Sequence, residues 1–270
     1  MKKLLVLCLT SLLVLTGCSQ SSRETDPNRT SFKVGIVDGY QLLAWKYVRQ
    51  EAEKEGITLD IVEFDDYTIP NAALNNGDVD LNCFQHILYL NTEIKANNYD
   101  LTPIAKTVLA PMGLYSNKIT DLSELQEGAR IVLPDDTSNQ GRALNLLASA
   151  GLIELSTSET EIPSLKDITS NPKNLEIIES LANSIPPFLA EVDLAAINGN
   201  VAFDAGIRLN DSIFQEVVDL ESDNPFINVI AVRSEEKDNQ YIQRLVELYL
   251  SDPVKEIIET ETNGSTLPIW

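Results

Sequence analysis

Apolar residues along this chain come in two alternating rhythms, short uninterrupted runs and longer stretches with helical spacing, which predicts βα units. Phe32 to Val37 predicts a strand, Tyr40 to Glu55 a helix with apolar positions at Leu43, Tyr47, Val48 and Ala52 and Gly56 as its stop, and Leu59 to Phe64 the next strand. After Phe64-Asp65-Asp66-Tyr67-Thr68-Ile69, Pro70 opens a helix, Gly77-Asp78 turns the chain, and Val79-Asp80-Leu81 predicts a short buried strand. An amphipathic helix is expected from Phe84 to Asn97 or Asn98, then strands over Leu101 to Val108 and Met112 to Ser116, with Ala110-Pro111 as a crossing point between two lobes.

The rhythm then repeats in a second lobe. Asp121 and Glu124 resemble a capping pair before a strand at Ala129 to Leu133. The polar stretch Pro134 to Arg142 reads as a loop entering a helix at Ala143 to Ala150, stopped by Gly151. Leu175 to Ser180 predicts a strand, Pro186-Pro187 a short helix, and Asp193 to Ile197 a buried strand ending at Asn198. Residues 210 to 219 carry no readable pattern, whereas Phe226 to Val232 predicts a strand returning the chain to the first lobe, closed by helices at Asn239 to Leu250 and Pro253 to Thr260. The expected architecture is α/β and two-lobed, with lobe 1 at 32–111 and 229–270 and lobe 2 at 112–228, each within the usual domain range.

The N-terminus follows a different logic. Met1-Lys2-Lys3 is a basic start, Leu4 to Leu15 an apolar run, and Leu15-Thr16-Gly17-Cys18 has the form of a lipobox, so residues 1–17 read as a lipoprotein signal peptide and Cys18 as the lipidated residue. The apolar run is shorter than the ~20 residues an ordinary spanning helix needs. Residues 18–31, polar and turn-rich, read as a flexible tether.

Composition narrows the partners. With 43% hydrophobic and 23% charged residues the chain is ordinary globular material, and its net charge of -21 would repel nucleic acid and anionic lipid. Of three cysteines, only Cys83 remains once Cys8 leaves with the leader and Cys18 is lipidated, so neither a disulfide nor a paired-cysteine metal site can form. Cys83 reads as a small core residue. His86, the single histidine, rules out multi-histidine metal sites and leaves any Ser-His-Asp scheme one base. The chain contains no Walker motif, so ATP chemistry lies elsewhere.

Candidate chemistry gathers where strands of an open sheet would end. Tyr67, Phe84, His86 and Tyr89 could form an aromatic wall, with His86 and Tyr89 three apart on one helix face; as buried aromatics they could equally be core. Arg142, placed in a first helical turn, suits a two-pronged grip on a carboxylate, or else is a surface cation offset by Asp135 or Asp136. Asn198 and Asn228 sit at a strand end and a strand start, where an amide suits a zwitterion but also a turn or cap.

The pattern Phe-x-Asp-Tyr-x-x-Pro-Asn-x-Ala-Leu, followed by Gly-Asp-x-Asp-x-Asn-x-Phe-Gln-His-x-x-Tyr-Leu, strongly resembles the methionine-binding lipoproteins (MetQ/NlpA family), the substrate-binding components of methionine ABC importers. The resemblance extends over nearly all of 32–270, including Ser138 to Arg142, Asn171 to Leu175 and Trp270. It implies a type II periplasmic-binding-protein fold hinged around a ligand cleft. Tyr67, Phe84, His86 and Tyr89 would enclose a methionine side chain, Arg142 would take the carboxylate, and Asn198 and Asn228 would hold the head group.

The same resemblance implies no cofactor and no catalysis, an ABC permease and its ATPase as partners, a lipid anchor at the extracytoplasmic face of an outer or single cell membrane, and a monomer. Gly35 to Gln41 and Gly199-Asn200 depart from the family pattern, which leaves ligand identity open. D-methionine, a methionyl dipeptide and another amino acid remain alternatives. So does a non-transport lipoprotein, an adhesin or a hydrolase using His86 with Cys83.

Overall fold

The computed structural model describes residues 28–156, 162–217 and 223–270. The leader, Cys18 and the tether up to residue 27 lie outside the described residues. The elements in chain order are β1 (Ser31–Ile36), α1 (Gly39–Lys54), β2 (Thr58–Glu63), α2 (Pro70–Asn76), β3 (Leu81–His86), α3 (Ile87–Asn97), β4 (Leu101–Lys106), β5 (Val108–Leu109), β6 (Gly113–Tyr115), β7 (Arg130–Pro134) and α4 (Thr137–Ser149). They continue with β8 (Glu154–Leu155), β9 (Ile168–Ser170), β10 (Glu176–Ser180), β11 (Leu194–Ile197), α5 (Gly199–Asp204), β12 (Phe214–Gln215), β13 (Asn228–Arg233), α6 (Gln240–Tyr249), α7 (Asp252–Glu261) and β14 (Leu267–Pro268).

Two five-stranded sheets organise the molecule, ordered β2-β1-β3-β13-β4 and β10-β7-β11-β6-β12. In the first, β2, β1 and β3 run parallel while β13 pairs antiparallel with both β3 and β4. In the second, β10, β7 and β11 run parallel and β6 joins antiparallel. Each sheet carries its own apolar core, the first including Trp45, Val48, Leu245 and Tyr249 from α1 and α6, the second Leu144, Leu146 and Leu147 from α4. The chain passes between the sheets twice, after β5 through Ala110-Pro111 and again between β12 and β13. This is the two-lobed α/β arrangement expected, with the parallel strands' carboxyl ends turned toward the cleft.

Two element boundaries differ from expectation, both beside the cleft. Phe84 lies on β3 rather than opening a helix, because β3 is a central strand buried at all six positions and a strand covered on both faces shows no alternation to read. His86 consequently stands at the N-cap of α3, not on its face. The helix α4 begins at Thr137, six residues before the expected Ala143, so Arg142 sits beyond its first turn. Within the stretch read as a loop, Ser138, Asn139, Gln140 and Arg142 are buried polar side chains, of which Asn139 and Arg142 face the cleft, and their polarity hid the helix. The short helix α5 was not anticipated.

Candidate functional site

All seven nominated residues, Tyr67, Phe84, His86, Tyr89, Arg142, Asn198 and Asn228, line one narrow cleft between the sheets. Sheet register explains part of the convergence, since Asn228 at the start of β13 lies directly opposite His86 at the end of β3. Asn228 is buried, and its Nδ2 donates to the Phe84 carbonyl at 3.5 Å.

The first lobe contributes the rings. Tyr67, Phe84 and Tyr89 form a triangle with centroids 5.9 to 6.0 Å apart, and the Tyr89 hydroxyl donates to the Tyr67 carbonyl at 2.9 Å. They belong to an apolar cluster that continues into the second lobe through Val132, Ile185 and Ile197. The Tyr67 hydroxyl donates to Asn200 Oδ1 at 2.8 Å, joining the two lobes directly. Burial raises the pKa of both tyrosines, so each hydroxyl stays protonated and donates.

His86 has both ring nitrogens committed. Nδ1 accepts the Tyr89 backbone N–H at 2.9 Å, capping α3, so Nε2 carries the proton and donates to Asn139 Oδ1 at 3.1 Å. Burial first, and the nearby Arg142 charge second, push its pKa down to about 3, and the ring is neutral at physiological pH.

The second lobe brings the polar groups. Arg142 is buried, which rejects the surface-cation alternative, and its counter-ion is Glu216 rather than Asp135 or Asp136. Arg142 Nε donates to Glu216 Oε1 at 2.7 Å and Nη2 to Oε2 at 2.6 Å, the two-pronged geometry a guanidinium favours. Nη2 also donates to the Ala110 carbonyl at 3.0 Å, and the Phe226 ring centroid lies 4.3 Å from the guanidinium carbon. The prongs expected for a ligand are thus held by an internal carboxylate, and Nη1 makes no hydrogen bond among the described residues.

Asn198 occupies the N-cap position of α5 without making a cap bond. Its Nδ2 donates instead to Asn139 Oδ1 at 2.7 Å, while its Oδ1 is buried with no hydrogen-bond partner among the described residues. An amide in the cleft with an unmatched acceptor is suited to an ammonium. Gln85, Ala110, Asn139, Gly199 and Asn200 complete the lining and were not nominated from sequence. Asn139 lay within a quoted motif and stands one helical turn before Arg142, so an earlier helix start would have put both on one face. The two segments that depart from the family pattern meet each other here: the Asn200 amide points at Asp38 at 3.5 Å, and Asp204 Oδ1 accepts the Gly39 N–H at 2.9 Å.

Cys83 stands apart from this chemistry. It is fully buried in the core shared with α1 and α6, its thiol donates to Gln41 Oε1 at 3.5 Å, and burial pushes its pKa up to about 12. With the thiol inert and both His86 nitrogens engaged, a Cys-His hydrolytic pair has no physical basis. No cluster of potential metal ligands occurs among the described residues.

The family model described as NlpA lipoprotein matches residues 32–270. The D-methionine-binding lipoprotein MetQ of Salmonella typhi is 38% identical over 262 residues, covering 96% of this chain and 94% of its own. Among solved structures, a nutrient binding protein from Burkholderia cenocepacia bound to methionine aligns with a TM-score of 0.84 at 38% identity, over 88% of this chain and 100% of that one. The substrate-binding protein of a methionine transporter from Streptococcus pneumoniae aligns with a TM-score of 0.85 at 35% identity, over 90% and 96%.

Proposed function

The chain belongs to the NlpA lipoprotein family, and from that premise we propose that it captures methionine, in our reading L-methionine, for delivery to an ABC importer. In this reading the protein is an extracytoplasmic solute-binding lipoprotein, held to its membrane through Cys18, a monomer, and partnered by a permease and a separate ATPase. Its lobes are 32–111 with 229–270 and 112–228. The relatives are binding proteins, and the site performs no chemistry on its ligand.

One observation carries the proposal: a three-ring wall faces a buried guanidinium and an unmatched amide oxygen across a single small cleft. Tyr67, Phe84, His86 and Tyr89 provide apolar faces for a flexible thioether, which packs well against aromatic rings. Arg142 Nη1 faces the ligand carboxylate, the Asn198 oxygen accepts from its ammonium, and Asn228 flanks the head group. Because wall and head-group sites come from different lobes, a bound zwitterion ties the two together, and closure follows from differential contact rather than from any change in the lobes themselves.

Calorimetry and thermal melts with L-methionine, D-methionine and a methionyl dipeptide test this. L-methionine is expected to bind at micromolar Kd or tighter, on the order of -8 kcal/mol. It should stabilise the fold by ~2.7 kcal/mol at a hundredfold excess over Kd. Arg142→Ala should lower affinity about a hundredfold or more while the protein stays folded. A response to only one of the other two ligands would reassign the cargo, and unchanged affinity in the arginine variant would remove Arg142 from the site.

A further inference from the structure

Behind the cleft runs a chain of side chains whose donors and acceptors fix one another. Asp136, the N-cap of α4, accepts the Asn139 backbone N–H at 2.9 Å, and both its oxygens face Asn139 Nδ2, at 3.1 and 2.9 Å. A carboxylate only accepts, so the Asn139 amide must present its nitrogen to Asp136 and its oxygen to the cleft side. The same orientation follows independently from the other end. His86 Nδ1 is consumed by the Tyr89 N–H, so Nε2 is a donor, and the Asn139 atom it meets at 3.1 Å must be an acceptor. Asn139 Oδ1 also takes the Asn198 Nδ2 donor at 2.7 Å, which leaves Asn198 Oδ1 as a buried acceptor with no partner among the described residues.

We propose that Asp136 and Asn139 are positioning residues that set the polarity of the Asn198 amide, so that the cleft offers an acceptor matched to the ammonium of a primary amine. Neither needs to touch the ligand. An amide can turn over at little steric cost, so without the anchor the nitrogen of Asn198 could face the cleft and repel an ammonium. With the anchor, turning Asn198 would oppose its acceptor to Asn139 Oδ1, and turning Asn139 would oppose its acceptor to Asp136. The preference for an amine-bearing ligand is therefore written into a carboxylate two residues removed from it. This rests on the amino-acid reading of the site given above.

The test uses the purified protein, L-methionine, and 4-(methylthio)butanoate, the same acid without its amine. The wild type should favour methionine by roughly tenfold or more, as expected for a hydrogen bond to a charged group. Asp136→Asn keeps a capping oxygen but sets a donor against Asn139 Nδ2 in place of the charged acceptor, leaving the single His86 Nε2–H bond to oppose the turning over of Asn139 and then Asn198. The preference should shrink by about tenfold, with affinity for the des-amino acid changing less than about twofold. Since His86 is the only imidazole in the chain, its 15N-coupled proton spectrum reports the relay without any ligand. The Nε2–H signal should move when its acceptor turns away. Asp136→Ser, which retains a cap without an anion, serves as the second variant. Unchanged amine preference together with an unchanged imidazole signal would overturn the relay. A wild type indifferent to methionine would instead defeat the methionine reading, leaving the imidazole measurement to judge the relay.

Discussion

His86 lines the cleft, and its two ring nitrogens do work that its place in the sequence did not suggest. It caps a helix and braces Asn139, and it does both only as the neutral ring. Its folded pKa is depressed from 6.5 to about 3, so between those values the unfolded chain binds more protons and stability falls as the pH falls through the window. The slope is at most about 1.4 kcal/mol per pH unit. Asp38, Asp136 and Asp204 act in the opposite sense, because burial raises their pKa values and the folded state holds those protons more tightly. Melting temperatures of wild type and His86→Gln from pH 7 to pH 4 separate the two, and the difference should narrow steadily toward acid. A constant difference would mean that His86 is not held neutral. The seven nominated residues were legible through the resemblance to a family pattern, since each taken singly could as well have been core, turn, cap or surface pair. Glu216 was not, for it lies in the 210–219 stretch, where nothing periodic marks it, and its partner is 74 positions away.

Elements near the cleft were harder to delimit than those remote from it. Strands β1 and β2 and helices α1, α6 and α7 fall within a residue or two of expectation, since each has an exposed face and therefore a period. β3 and α4 do not, because function has replaced the period, in one case by burial on both faces and in the other by polar residues turned inward. The start of α5 shows the same pressure at close range. A Cβ on Gly199 would lie 2.7 Å from the Pro111 carbonyl and 3.1 Å from Ala110 Cβ, so this turn can approach the first crossover only without a side chain. Gly199→Ala should destabilise the protein by about 1–3 kcal/mol, as overpacking does. Ligand affinity should fall with it, because the Asn198 and Asn200 amides move back with the helix. Melts and calorimetry of this variant check both; an unaltered Kd would show that α5 does not need this contact.

At the level of the whole molecule, Arg142 and Glu216 do more than pair. Arg142 bonds the Ala110 carbonyl of the first crossover, Glu216 Oε2 accepts the Met112 N–H of the same segment at 2.8 Å, and Glu216 itself begins the second crossover, which ends at Phe226 against the guanidinium. Glu216→Ala would leave a buried cation without its counter-ion. The cost should be about 3 kcal/mol, the low end for such pairs because Glu216 is partly exposed. A ligand carboxylate would replace part of what is lost, so the melting-point gain on adding methionine should be larger in the variant than in the wild type. Equal gains would place the ligand away from this cation.

The waist of the protein is thus riveted by the same guanidinium that the proposed function sets against the cargo. Anyone wishing to retune which molecule is carried should work from the aromatic wall at Phe84 and Tyr89, whose rings take no part in the Arg142–Glu216 joint, and should spare Tyr67, whose hydroxyl bonds Asn200 of the other lobe. Altering position 142 would change the grip and the joint in one stroke.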